Sequence, residues 1–166
     1  MKRLICLMLL LVLLLPGCRQ QEEYTEPVRF YFVRNQVTYF TSDSVIASEM
    51  REAQGHRNDF EYLLRIYLAG PENPELKRVF PKNIALVKLE LNDGKALVVL
   101  SDAAARLTGL DLTIACACLT ATVCELTGVI SVTIRAETQL LDGQKSITMD
   151  RNHLLLLDSS RNAIGE

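Results

Sequence analysis

The beginning of the chain carries its strongest hydrophobic pattern. Lys2 and Arg3 precede an almost unbroken apolar run from Leu4 to Leu15. Twelve residues of helix reach about 18 Å, whereas the hydrocarbon core of a bilayer is about 30 Å thick. The run is therefore too short for a comfortable transmembrane helix, and the pattern predicts a signal peptide over residues 1–17.

Two later segments have the pattern of helices. In residues 58–70, apolar side chains recur at the i, i+3, i+4, i+7 spacing of one buried stripe, with Asn58 as the expected N-cap and Gly70 at the end. Residues 111–127 are apolar nearly all round and are closed by Gly128. A second membrane span is the alternative for this segment, but only thirteen uncharged residues separate its two acidic residues. We therefore expect a deeply buried helix.

Strand patterns and turn signals fill most of the remaining sequence. Asn92-Asp93-Gly94 predicts a tight hairpin, which we expect to lie centrally in the sheet. Residues 71–81 have a loop composition, with at most one turn. The last clear strand alternates, and its pattern places Ile130, Val132 and Ile134 on the buried face. The predicted strands are 28–33, 84–91, 95–100 and 130–135, with weaker candidates at 37–40, 45–52 and 146–149.

Together these elements predict one domain of the α+β class. We expect a mostly antiparallel sheet with two main helices packed on one face. The domain covers residues 28–150 and is followed by a C-terminal tail, residues 151–166, which has no firm assignment.

The boundary after the leader resembles the lipobox of bacterial lipoproteins. It reads Leu15-Pro16-Gly17-Cys18, with small or neutral residues ahead of the cysteine. The resemblance implies that the Cys18 thiol accepts a diacylglycerol and that the new N-terminus carries fatty-acyl chains such as palmitate. An ordinary secretory signal, with Cys18 incidental, is the alternative. Residues 18–27 are then the lipidated cysteine and a polar tether, and the domain lies at the extracytoplasmic face of the cell membrane.

Charge and composition exclude several other classes of protein. The formal charge of −2 becomes −4 once Lys2 and Arg3 leave with the leader. An acidic domain without a clustered basic face is not expected to bind nucleic acid. It is equally unsuited to holding an anionic membrane by charge, so the N-terminal lipid is the expected membrane contact.

Side chains that could take part in catalysis or metal binding are few, and none forms a recognisable motif. His56 and His153 have no nucleophile placed beside them by any motif. Cys116 and Cys118 are two residues apart on a helix and point about 200° away from each other, so they do not converge on a metal. We expect these thiols and Cys124 to be inert core residues. No catalytic residue, cofactor or metal is expected, and Asp93, Asp102, Asp142 and Asp150 are expected to serve turns.

A fixed order of helix-end and turn signals runs through residues 28–149. They are, in chain order, Leu68-Ala69-Gly70-Pro71, Phe80-Pro81, the hairpin 87–101, Leu126-Thr127-Gly128-Val129, the strand 131–134 and Leu141-Asp142-Gly143. Their order and spacing resemble the GerMN domain, also called the sporulation and spore germination domain. The resemblance implies a fold like that of ring-building modules, and a role in binding or assembly rather than catalysis.

The lipobox and the resemblance together define the expected function. We expect a membrane-anchored lipoprotein that acts as a non-catalytic binding or assembly module of the cell envelope, in sporulation or spore germination. Its partners would be envelope or sporulation-complex proteins. The alternatives are a generic envelope sensor or accessory lipoprotein partnering a transporter, kinase or cell-wall enzyme, and a cell-wall hydrolase. The exposed faces near Arg29, Arg65, Arg78 and Arg135 are candidate contact surfaces.

Overall fold

A computed structural model of the protein describes residues 27–35 and 45–154. The weak strand candidate at 37–40, the signal peptide, Cys18 and the tail beyond residue 154 lie outside the described residues. The elements, in chain order, are β1 (Pro27–Arg34), β2 (Ile46–Glu52), α1 (Phe60–Ala69), β3 (Leu76–Lys77), β4 (Leu86–Asn92), β5 (Lys95–Leu100), α2 (Gly109–Thr127), β6 (Ser131–Ala136) and β7 (Ile147–Asp150). Short 3₁₀ turns occupy Asp102–Arg106 and Arg151–His153.

The predicted α+β class is confirmed, but the strands form two sheets instead of one. The first sheet has the order β2-β1-β3 and is antiparallel. The second has the order β4-β5-β6-β7 and is antiparallel except for the β5–β6 pair, which α2 connects. The physical reason for two sheets is α2, which contacts β1 of the first sheet as well as β6 and β7 of the second. A helix that is apolar all round needs partners on more than one side.

The second helix is buried, as its sequence predicts. It begins at Gly109, two residues earlier than expected, and ends at Gly128, whose left-handed backbone (φ 76°) directs its N–H to the Cys124 carbonyl. By length and composition, α2 is the one helix among the described residues that could cross a membrane. Most of it is buried inside the domain, which is typical of a core helix.

The first helix begins at a different cap from the one predicted. Asp59, not Asn58, precedes Phe60, and its side chain accepts the Tyr62 N–H at 3.0 Å. Either residue type suits an N-cap, so the sequence could not decide between neighbours. Gly70 ends the helix with a φ of 101°, as expected. The predicted stripe is buried at Leu63, Leu64, Tyr67 and Leu68.

Three details of the strands differ from the predictions. The loop at 71–81 contains the short strand β3, which pairs with the end of β1. Ile130 is 55% exposed, because Val129 takes the buried position directly after the left-handed Gly128. Only one strand of the hairpin is central. β5 lies between β4 and β6, and β4 lies at the edge of the sheet.

One backbone N–H of β1 donates to a side chain of α2 and not to a neighbouring strand. The Tyr31 N–H donates to Oγ1 of Thr122, which is fully buried on α2, at 3.0 Å. Replacing Thr122 with valine should lower the free energy of unfolding by about 1–3 kcal/mol, because the Tyr31 amide would lose its partner in the interior. Urea unfolding of the chain from residue 19 onward measures this. Thr122→Ser keeps the hydroxyl, and equal losses in the two variants would contradict the role of the hydrogen bond.

Candidate functional site

The two histidines lie on the surface, each close to an acidic residue of its own segment. His56 stacks on the Tyr62 ring, with centroids 4.0 Å apart, and its Nδ1 is 3.9 Å from Asp59. His153 follows β7, and its Nδ1 is 3.9 Å from Asp150.

The three cysteines of α2 are buried and free, as expected for core thiols. Burial raises the pKa of Cys116 and of Cys118 to about 12. It also raises the pKa of Cys124. Thiolate, the form that attacks disulfides and binds metals, is therefore scarce at these positions near neutral pH. Within residues 27–35 and 45–154, no group of three or more His, Cys, Asp or Glu residues is placed to hold a metal ion.

Arg78, one of the four arginines singled out from the sequence, has a structural role. Its guanidinium donates to the carbonyls of Leu68 (2.9 Å) and Ala69 at the end of α1. These carbonyls have no partner within the helix, and a cation there also opposes the negative end of the helix dipole. The φ of 101° favours glycine at position 70, and a Cβ there would lie 2.9 Å from the same guanidinium and push it away from these carbonyls. Of the other three, Arg65 forms an exposed ion pair with Glu61 on α1.

Sequence analysis missed a buried ion pair on β2. The side chains of Glu49 and Arg51 are only 7% and 8% exposed, and they contact each other. Glu49 also accepts the backbone N–H groups of Glu72 (3.2 Å) and Asn73 (2.9 Å), and Arg51 donates to the Gly70 carbonyl at 2.6 Å. The pair therefore fastens the loop after α1 to β2. The signal for this pair in the sequence is that charged and apolar residues alternate along β2. The charged residues Glu49 and Arg51 lie on the inward face, and the apolar Met50 is 53% exposed.

Asp102, in the turn that follows β5, holds the segment that follows β6. Its carboxylate accepts the N–H groups of Thr138 (2.8 Å) and Gln139 (3.0 Å), and also the Thr138 hydroxyl. These hydrogen bonds, those from Thr138 first, hold the pKa of Asp102 below its ordinary value of 3.8. The sequence predicts a local turn role for Asp102, whereas these hydrogen bonds reach residues 36 and 37 positions further along the chain.

Asp102 should therefore contribute to stability in a pH-dependent way. Its pKa is lower in the folded than in the unfolded chain, so its contribution is complete above about pH 4 and disappears as the pH falls through the folded-state value. Asp102→Asn should destabilise the domain at pH 7 and make the stability fall less between pH 4 and pH 2. Urea unfolding across this range measures both effects, with the turn variant Asp93→Asn as the control. A wild-type profile in Asp102→Asn would contradict this role.

One surface depression lies at the start of α2, and we call it the α2 cleft. It has a volume of about 320 Å³. Leu110, 72% exposed, stands next to the cleft residue Asp111. The turn that contains Asp142 is fixed beside it, because the Asp142 carboxylate accepts the Gly109 N–H at 3.0 Å. The cleft is lined by Val33, Lys77, Arg78, Val79, Phe80, Pro81, Leu107, Asp111 and Ile114.

The second depression lies between the two sheets, and we call it the inter-sheet groove. It is larger, about 660 Å³, within the range of small-molecule sites. Ile46 of β2 forms one side, Thr113 and Ala117 of α2 contribute their outward faces, and the second sheet forms the other side. The residues contributed by the second sheet and the turn after it are Ser131, Thr148, Met149, Asp150, His153 and Leu154. Neither depression is visible in the sequence, because each joins residues far apart along the chain.

The fold defines a class of small α+β domain, in which a buried helix contacts both a three-stranded and a four-stranded sheet. The family model described as "Germane: Sporulation and spore germination" matches residues 29–142, and the chain belongs to this family. The GerMN resemblance is thereby confirmed. A search of curated proteins found no match.

Two solved structures support the same fold. The first GerMN domain of the sporulation protein GerM from Bacillus subtilis has a TM-score of 0.52 at 14% identity, covering 77% of this chain and 99% of that one. The tandem GerMN domains of the same protein have a TM-score of 0.51 at 17% identity, covering 73% of this chain. This chain spans 43% of the tandem structure, less than half of its length. At these identities, the comparison concerns the fold alone.

Proposed function

We propose that the protein is a lipoprotein attached through Cys18 to the extracytoplasmic face of the cell membrane. Its domain acts there as a non-catalytic binding or assembly module of the cell envelope, in sporulation or spore germination. The family match over residues 29–142 carries the proposal, because it covers most of the chain and the family is described by these processes. The leader and lipobox support the location.

The short tether limits where a partner is met. Eight residues, 19–26, separate the lipidated cysteine from β1. Fully extended, they reach about 30 Å. The partner must therefore present its contact surface close to the membrane, as a membrane protein or a cell-wall-bound envelope protein does.

The α2 cleft is the surface best suited to such a partner. Leu110 is the most exposed large apolar side chain among the described residues and lies beside a depression that has both cationic and anionic side chains. Apolar anchors surrounded by polar groups are typical of protein interfaces. The buried charged groups Glu49 and Arg51 are occupied by backbone contacts, which favours a structural role for them over a catalytic one.

Complementation of a deletion strain tests the proposal. The deletion should lower spore yield or germination, and the wild-type gene should restore it. Leu110→Asp should restore much less, because it places a charge where an apolar anchor is expected, at a cost of about 2 kcal/mol or more in binding. The matched control is Ile130→Asp, since Ile130 is 55% exposed but follows the opposite end of α2.

Three outcomes would contradict separate parts of the proposal. Normal spores and normal germination in the deletion strain would remove the role in this process and favour a generic accessory lipoprotein. Equal complementation by Leu110→Asp and Ile130→Asp would exclude the α2 cleft as the contact surface. Cell-wall cleavage by the purified protein would overturn the non-catalytic role.

A further inference from the structure

The strand β4 presents a free edge of the second sheet. Among the residues that the structure describes, no strand pairs with its outer side. Asn92 and Lys95 are paired next to the two-residue turn that joins β4 to β5, the position of a hydrogen-bonded pair in such a hairpin. Backbone groups alternate in direction along a strand, so those of Leu89 and Leu91 face away from β5. An edge of this kind can pair with another strand.

Apolar and charged side chains alternate along this edge. Val87 and Leu91 are 44% and 42% exposed, and Leu89 between them is partly buried against the core. Lys88 and Glu90 lie on the other face, where they form an ion pair at 2.5 Å with 55% and 49% of their side chains exposed. The edge therefore offers a partner strand both apolar contacts and one charge of each sign.

A second copy of the chain fits this edge in one register. Two antiparallel strands related by a twofold axis pair symmetrically about a central residue. With Leu89 at the centre, Lys88 lies directly opposite Glu90 of the second copy, and Glu90 lies opposite its Lys88. A centre at Lys88 or at Glu90 would place like charges opposite each other, which is destabilising. Charge complementarity therefore selects Leu89, whose backbone groups already face outward.

We propose that two copies of the protein associate through β4 and so extend the second sheet across both chains. Leu89 of each copy exchanges two backbone hydrogen bonds with the other, and Leu91 lies beside Val87 of the second copy. A lysine and a bulge, here at Val87, commonly protect an edge strand from pairing. In this register each lysine meets a glutamate, so the edge disfavours unmatched strands and favours its own copy.

Disulfide formation between two different cysteine variants tests the register. Cells that make full-length Lys88→Cys and Glu90→Cys together should form a disulfide-linked dimer on mild oxidation, because the Cα atoms of these opposite residues are about 4.5 Å apart. Each variant made alone places its two new cysteines diagonally, about 7–8 Å apart, which is too far for a disulfide. We expect about tenfold more linked dimer from the mixture on non-reducing gels. The wild-type chain measures the background from the native cysteines.

Exchange of the two charges supplies the second readout. Two differently tagged full-length copies should be recovered together from a mild detergent extract. Glu90→Lys should lower this recovery about tenfold, because both symmetry-related pairs then have like charges. Lys88→Glu combined with Glu90→Lys should restore it, since opposite charges face each other again. The matched control is Glu61→Lys, which reverses the same charge in the exposed ion pair of Glu61 with Arg65 on α1 and should leave the recovery unchanged.

The outcomes decide whether β4 pairs with its own copy. Linked dimer specific to the mixture, together with restoration by the exchanged charges, supports the proposal. Equal amounts of linked dimer in the mixture and in either variant alone would overturn it. Unchanged recovery of Glu90→Lys, or no restoration by the double variant, would overturn it as well. None of these outcomes depends on lipidation, on the deletion phenotype or on the Leu110→Asp result, so a failure of this pairing and a failure of the proposed function are distinguishable.

Discussion

Replacing Cys18 with alanine is expected to abolish palmitate labelling of the protein. In the lipid anchoring that we propose, the Cys18 thiol is the group that accepts the diacylglycerol, so alanine removes the site of attachment. Each buried CH₂ of an acyl chain contributes about 0.8 kcal/mol, and two or more chains anchor a protein stably. The variant should therefore lose its stable anchor. Metabolic labelling with palmitate and fractionation of membranes after a high-salt wash measure the two effects.

The leader contains its own control for this experiment. Cys6 lies inside the apolar run, twelve residues before Cys18, and is removed with the signal peptide if cleavage follows Gly17. Cys6→Ala should therefore keep both the label and the membrane location. The size of the product adds a third readout, since Cys18→Ala should accumulate with its leader uncut. A mature-sized Cys18→Ala protein that stays with the membrane as firmly as the wild type would exclude lipid anchoring at this residue.

Elements with strong local signals can be predicted from the sequence. The α2 helix is identifiable because a long apolar segment ends at Gly128, where a left-handed residue is needed. The hairpin is identifiable because Asp93 and Gly94 both adopt the positive φ that a tight turn requires. Residues 146–149 pair with β6 much as predicted. In each case, the information lies within a few residues of the feature.

Features that depend on distant residues cannot be predicted in the same way. The separation into two sheets follows from how α2 packs, which periodicity does not reveal. The shift of Ile130 to the surface follows the left-handed residue Gly128 and is confined to the residues before β6, since Val132 and Ile134 are buried as predicted. The α2 cleft and the inter-sheet groove each combine residues from three or more elements. Function can be predicted at the level of the family, because the turn signals recur in order along the chain.

The buried pair of β2 gives the largest expected change in stability. Arg51→Ala should lower the free energy of unfolding by about 3–5 kcal/mol, because the Glu49 carboxylate would remain buried without its cation. The arginine also lies over the Phe30 and Phe32 rings, at 5.3 and 5.8 Å from their centroids, so packing is lost as well. Urea unfolding of the chain from residue 19 onward measures the loss.

Two further variants show whether charge burial is the cause. Arg65→Ala removes the exposed partner of Glu61 and should cost at most about 1 kcal/mol, since that pair is largely solvated. The double variant Glu49→Gln, Arg51→Met should be more stable than Arg51→Ala, because it removes both charges and keeps most of the volume. The side-chain amide that replaces the Glu49 carboxylate can also still accept the N–H groups of the loop after α1, the contacts that Glu49 makes now. If Arg51→Ala lowered the free energy of unfolding as little as Arg65→Ala, the result would contradict the role of the Glu49–Arg51 pair in fastening this loop to β2.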